Sequence, residues 1–159
     1  ITSVNTSFFL KKILKKSGTN ITFGNNDLFQ ISNIFQKLQN IMWKNVGVIR
    51  TKRSLSKALK FINFLINDFS NIQPPDNTIY NQRLLNWLDL RNSLFCAHAV
   101  CLSANNRKES RGAHQMEDIP VSLPEFEKNQ IIKMKNGTLV SSWEKVKKFS
   151  FKLEKKISK

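Results

Sequence analysis

The densest concentration of chemistry-bearing side chains is Arg107-Lys108-Glu109-Ser110-Arg111-Gly112-Ala113-His114. Two guanidiniums, an ammonium, a carboxylate, a hydroxyl and an imidazole surround one turn-forming glycine. Cations placed there suit the negative end of a helix dipole. Arg111 can fork onto a carboxylate or a row of carbonyl groups. A segment of this kind serves as a charged helix stop, as a docking corner against another domain, or as an anion contact.

Elsewhere reactive residue types are sparse. His98 falls on a long apolar segment and reads as a packed or capping imidazole. Cys96 and Cys101 cannot build a disulfide scaffold and read as reduced thiols of a cytosolic or organellar interior. Glu117 and Asp118 read as a solvated turn. The glycines, at 18, 24, 47, 112 and 137, are too scattered for a dinucleotide or phosphate loop. There is no nucleophile elbow, and no cluster with zinc or iron–sulfur spacing. The sequence therefore assigns no catalytic, no cofactor-binding and no metal-ligating residue.

The elements that must position the charged segment are helical. Leu28, Ile31, Ile34, Phe35, Leu38, Ile41 and Met42 follow the i, i+3, i+4, i+7 spacing of a core-facing helix, with Asp27 as its cap. A second helix is expected from Ser54 as N-cap, with Leu55, Ala58, Leu59, Ile62, Leu65, Ile66 and Phe69 on its apolar face. Pro74-Pro75 marks a loop. The third and longest helix is expected from about Asn81 to Asn106, with Leu84, Leu85, Leu88, Leu94, Phe95, His98, Cys101 and Leu102 on or near one broad face. Three helices with short links predict a mainly α fold, an antiparallel three-helix bundle over residues 28–120. Residues 121–159 read as an extension. In it, Asn136-Gly137 between short apolar runs predicts a β-hairpin over 130–142, followed by a basic tail or edge strand. Residues 1–27 form a poorly defined segment. Their FFLKKILKK run is amphipathic and suits a surface helix, a membrane-surface helix or the end of an upstream domain. The first residue is Ile1 rather than Met, so the chain is read as processed or as a fragment.

Composition narrows the classes. The chain has 159 residues, 40% of them apolar, and a mean hydropathy of −0.35. That is enough for one core, and no run is long enough to span a bilayer. The net charge is +15, which raises nucleic acid or an anionic membrane surface as partners. Composition offers a competing cause. Lys, Asn, Ile and Phe, all with AT-rich codons, fill 65 of 159 positions, and 20 of the 26 basic residues are Lys. Phosphate recognition favours the bidentate Arg fork, so a nucleic-acid module is disfavoured, and membrane contact is expected at most peripherally. A basic nucleic-acid- or membrane-surface-binding module stays as an alternative.

Several motifs in order resemble one family. RKESRGAH, followed by Asp118 and Pro120, resembles the C-terminal signature of the succinate dehydrogenase, fumarate reductase and L-aspartate oxidase flavoproteins. Leu38-Gln39, Met42-Trp43 and Val46-Gly47-Val48-Ile49-Arg50-Thr51 resemble a run upstream of it, followed by Leu55, Ala58 and Leu59. Leu90-Arg91-Asn92 resembles the segment opening the helix before the signature. The resemblance covers about residues 35–120. It implies a helical domain that packs on and stabilises an FAD-binding domain absent from this chain, in the same protein or in a separate subunit. The family's flavin loop and substrate-binding residues have no counterpart here. The residues carried over are interdomain contact candidates: Arg107, Glu109, Ser110, Arg111 and His114, with Arg50 and Arg91. Met42-Trp43, Val46 to Thr51 and Leu90 to Asn92 favour L-aspartate oxidase, which converts L-aspartate to iminoaspartate in NAD biosynthesis. Ala113 and Gln115 favour the flavoprotein of a succinate dehydrogenase or fumarate reductase, whose further partner would be an iron–sulfur subunit. The first set is the longer, so the resemblance favours L-aspartate oxidase, with the succinate and fumarate enzymes as the alternative.

Overall fold

Helix α1 (Asn25–Asn45) buries Ile31, Ile34 and Leu38, one stripe of its surface. The computed structural model describes residues 25–75 and 81–146. The FFLKKILKK run and the tail after Val146 lie outside the described residues. The first helix begins at Asn25, so Asp27 stands inside its first turn rather than at the cap.

After α1 comes the two-residue strand β1 (Ile49–Arg50), then α2 (Lys52–Ser70). The start of α2 corrects the sequence expectation. Thr51, not Ser54, is the N-cap: its hydroxyl accepts the Ser54 N–H at 3.0 Å, and Ser54 Oγ accepts the Thr51 N–H at 3.0 Å. Ser54 thus plays the return half of a capping box. Leu55, Ala58, Ile62 and Leu65, at i, i+3, i+7 and i+10, are fully buried.

Helix α3 (Gln82–Asn106) is capped by Asn81, whose side chain accepts the N–H groups of Arg83 and Leu84. Its buried face is Trp87, Leu90, Leu94, Ala97, Cys101 and Ala104. Of the residues expected there, only Leu94 and Cys101 are in the core; Leu85 is 53% exposed and Leu88 is half-buried. The reason lies in the helix itself. Apolar residues occupy two adjacent stripes, so periodicity does not select between them. Packing selects the stripe holding Ala97 and Ala104, small enough for close helix approach. At the opposite end, Trp87 Nε1–H donates to the Ile72 carbonyl at 3.0 Å and its ring packs on Phe69, centroids 5.0 Å apart.

The chain then returns beneath the bundle. Strand β2 (Gln115–Met116) pairs in parallel with β1, Ile49 opposite Gln115 and Arg50 opposite Met116, and Met116 enters the core. A 3-10 turn (Pro124–Phe126) leads to the antiparallel hairpin β3 (Lys128–Lys135) and β4 (Thr138–Lys145). Both turn residues have positive φ, Asn136 at 50° and Gly137 at 80°, which is the geometry a two-residue type I′ turn requires. The fold is the expected three-helix bundle with a short hairpin.

Replacing Leu90, fully buried, by Ala should cost about 2–5 kcal/mol of stability. Leu85→Ala on the exposed stripe should change it by less than about 0.5 kcal/mol. Urea denaturation of the two variants checks this, and equal midpoints would reverse the assignment of the core face.

Candidate functional site

The charged segment after α3 folds into a closed polar corner rather than an open site. Glu109 is its centre. Its side chain has 0% exposure, and both oxygens are taken. Oε1 accepts from Arg107 Nη1 at 2.5 Å and from Arg111 Nε at 2.9 Å. Oε2 accepts from Arg111 Nη2 at 3.2 Å and from the Leu123 N–H at 2.8 Å. Burial alone would push this carboxyl up. The hydrogen bonds from Arg111, Leu123 and Arg107 outweigh it and hold the group down to about 2.

Arg107 spends its remaining donors on the extension. It donates to the carbonyls of Phe126 and Lys128, both at 2.9 Å, and its guanidinium lies 5.0 Å from the centroid of Trp143. Trp143 in turn meets Phe126 edge to face, centroids 5.4 Å apart. One arginine therefore links the end of α3, the buried carboxylate and the hairpin. This coupling was not legible in the sequence, where Trp143 lies 36 positions away.

Ser110 fastens the chain's return. Its hydroxyl donates to the Ile119 carbonyl at 2.7 Å and accepts the Met116 N–H at 2.8 Å. Arg111 and His114 exchange backbone hydrogen bonds at 2.8 and 3.0 Å across Gly112-Ala113, and Gly112 has φ 57°, a conformation glycine adopts without a Cβ penalty.

His114 joins this turn to β1. A guanidinium only donates and a carbonyl only accepts, so both ring roles follow. Nδ1 accepts from Arg50 Nη1 at 2.8 Å, and Nε2–H donates to the Arg107 carbonyl at 3.0 Å. Burial lowers its pKa, and the Arg50 and Arg107 charges add to this, against the raising effect of its bond to the Arg107 carbonyl and of Glu109. Arg50 is itself held by the Gly47 carbonyl at 2.6 Å. Asp118, read from sequence as a solvated turn, accepts the Lys52 N–H at 2.7 Å. It places a carboxylate at the positive end of α2.

Arg50, Arg107, Glu109, Ser110, Arg111 and His114 are thus brought together. Arg91 is not. It lies 15 residues before the end of α3, roughly 22 Å along the axis, with its guanidinium 5.5 Å from the Phe95 centroid. His98 is half-buried on α3, its pKa lowered by burial. Buried Cys101 donates to the Leu55 carbonyl at 3.4 Å, and burial pushes its thiol up to about 11. Among the described residues, no group of His, Cys, Asp and Glu could hold a metal ion. Among them also, no helix is long and apolar enough to cross a membrane. Chemically the corner can hold chain segments together and can present the Gly112-Ala113 tip, with the partly exposed Arg111 side chain, to a neighbour.

A family model described as fumarate reductase flavoprotein C-term matches residues 35–156. A fumarate reductase (CoM/CoB) chain of Methanothermobacter marburgensis is 35% identical over 102 residues, 64% of this chain and 19% of that protein. The 8-methylmenaquinol:fumarate reductase flavoprotein subunit of Wolinella succinogenes is 30% identical over 136 residues, 84% of this chain and 22% of that one. L-aspartate oxidase of Pseudomonas aeruginosa is 32% identical over 95 residues, 60% and 17% of the two chains. The chain spans about a fifth of the length of these relatives. A chain of E. coli quinol fumarate reductase shares the fold with a TM-score of 0.76, covering 91% of this chain and 25% of that one at 24% identity.

Two groups of the corner, Glu109 and His114, make its stability depend on pH. Glu109 is depressed below the ordinary carboxyl value of about 4.3. Its contribution is present above that value and is lost as the pH falls toward 2. His114 is also depressed. Its contribution is present above about pH 6.5 and is lost as the pH falls through its lowered folded value. Glu109→Gln should weaken the pH dependence of the urea midpoint below about pH 4.3 and cost about 3–5 kcal/mol at pH 7 by breaking a buried pair. An unchanged midpoint at pH 7 would contradict this. Arg107→Met should raise amide exchange over residues 128–145 and leave the core of α2 and α3 protected. Equal protection of the hairpin in both proteins would exclude Arg107 as its anchor.

Proposed function

The chain belongs to the fumarate reductase flavoprotein C-terminal family, and from that premise we propose that it is the C-terminal part of an FAD-dependent oxidoreductase acting on succinate or fumarate. Its part is to pack against and stabilise a flavin-binding unit, in the same polypeptide or in a separate one. The observation that carries this reading is the match over residues 35–156, which includes the hairpin as well as the bundle. The 136-residue similarity to a fumarate reductase flavoprotein subunit supports the substrate class. A reducing interior compartment and an iron–sulfur subunit go with this reading.

The described residues do not fit a flavin. At the N-terminus of α2 the N–H groups of Lys52 and Ser54 go to Asp118 and Thr51, and at that of α3 those of Arg83 and Leu84 go to Asn81, so both ends are occupied by the chain's own side chains rather than opened toward a pyrophosphate. The described glycines stand singly in turns or links. This chain's own residues therefore serve docking. Arg111 and the Gly112-Ala113 tip are the proposed contacts, positioned by Arg107, Glu109, Ser110, His114 and Arg50, with Arg91 contributing from α3.

A second reading has its own support. The run Met42-Trp43, Val46 to Thr51 and Leu90 to Asn92 favours L-aspartate oxidase, and a protein of that name is 32% identical to this chain. Anaerobic addition of succinate or L-aspartate to the intact flavoprotein separates the two. Succinate should bleach the oxidised flavin absorbance. Bleaching by L-aspartate alone would establish the second reading, and bleaching by neither would overturn both. Arg111→Ala in the same protein should lower retained flavin and leave turnover per bound flavin unchanged. Full flavin content with collapsed turnover would put Arg111 in the chemistry instead.

A further inference from the structure

Where α1 gives way to β1, three large apolar side chains point outward: Trp43 is 86% exposed, Val48 69% and Ile49 74%. Loose chain does not account for this. Val46, between them, is buried, and its N–H donates to the Met42 carbonyl at 2.9 Å. Ile49 is paired with Gln115, and Arg50 is fastened to Gly47 and His114. The segment is held in place with its apolar side uncovered.

Two further features single it out. Parallel strand pairs ordinarily lie in sheets covered on both faces. Here the pair has two strands, and its first residue, Ile49, faces outward. Beside Trp43 there is also a concavity lined by Gln39, Met42, Val46 and Gly47. Other exposed apolar residues include Leu85 and Val100, singly on α3, as surface apolar residues commonly stand, and Phe64 on α2, which packs against the Phe61 ring of its own helix, centroids 6.0 Å apart.

We propose that Trp43, Val48 and Ile49 form the docking face for the flavin-binding unit, a deepening that rests on the function proposed above. The relatives are about five times as long as the aligned region, so most of such a protein lies outside this structure and must meet this domain somewhere. Exposed Lys44 and Lys52 flank the patch, so the covering surface has an apolar centre with an acidic rim. Docking here acts on the polar corner directly. Ile49 faces the partner while its neighbour Arg50 holds His114, so a covered Ile49 fixes the strand on which the Arg50–His114–Arg107 chain depends.

The test is hydroxyl-radical footprinting of the intact flavoprotein, with Phe64 as the internal exposed reference, beside flavin retention through gel filtration for Ile49→Asp, Trp43→Ala and the control Leu85→Asp. Trp43 should be protected at least tenfold relative to the same protein after urea unfolding, while Phe64 is not. Ile49→Asp and Trp43→Ala should both lose flavin, and Leu85→Asp should retain it. Trp43→Ala sits on α1, away from the ladder, and carries the test if Ile49→Asp disturbs β1. Trp43 oxidised as readily as after unfolding, or flavin loss equal in all three variants, overturns the proposal. Protection that vanishes on dilution at constant flavin content assigns the face to a second copy of the chain and also overturns it. A wild-type protein that holds no flavin instead removes the proposed function, and the docking face with it.

Discussion

A carboxylate with no solvent exposure stays ionised only if donors replace the water it has lost, and Glu109 has four such contacts from three residues. That requirement organises the lower end of the molecule. Arg107 must leave α3 pointing down, Arg111 must fold back across the turn, and the chain must return so that the Leu123 N–H reaches Oε2. Each condition fixes the path of a different segment. No buried side-chain nitrogen or oxygen is left without a partner among the described residues, which is the state in which a buried polar network gives order rather than cost.

From Glu109 the order spreads in two directions. Through Arg107 it reaches the Phe126 and Lys128 carbonyls and the Trp143 ring, attaching a hairpin that makes little other contact with the bundle. Through the Arg107 carbonyl it reaches His114 and then Arg50, tying the link between the first two helices to the segment after the third. The apolar core, centred on Leu55, Ile62, Leu65, Leu90 and Leu94, forms the body of the bundle, and the polar corner decides how the surrounding chain is arranged on it.

Under the proposed function, this division is what would let the domain support a flavin-binding unit without contributing to its chemistry. The corner is closed internally, so its charges shape a surface more than they recognise a small molecule. The domain's outward features include the exposed Gly112-Ala113 tip and the apolar face at Trp43, Val48 and Ile49, the last adjacent in the chain to Arg50. A neighbour covering either one would meet a surface already fixed by internal hydrogen bonds, which lowers the ordering cost of association.

The stripes of the first two helices, the Asn136-Gly137 turn and the helix stop near Asn106 were legible in the residues, because each depends on neighbours three, four or two positions away. The motif order pointing to a flavoprotein domain was legible for the same reason: it is a linear pattern. The buried face of α3 was not, because two adjacent apolar stripes compete and only the approach of α1 and α2 selects the one with Ala97 and Ala104. Nor did RKESRGAH reveal that its carboxylate would be buried and held by both of its arginines, or that Asp118 would cap α2. Those outcomes depend on partners 66, 64 and 21 positions apart, Lys52 with Asp118, Arg50 with His114, and Arg107 with Lys128. Local sequence specified which groups were charged and where the chain turned. Only the folded packing decided which charges lost their water, and therefore which had to find each other.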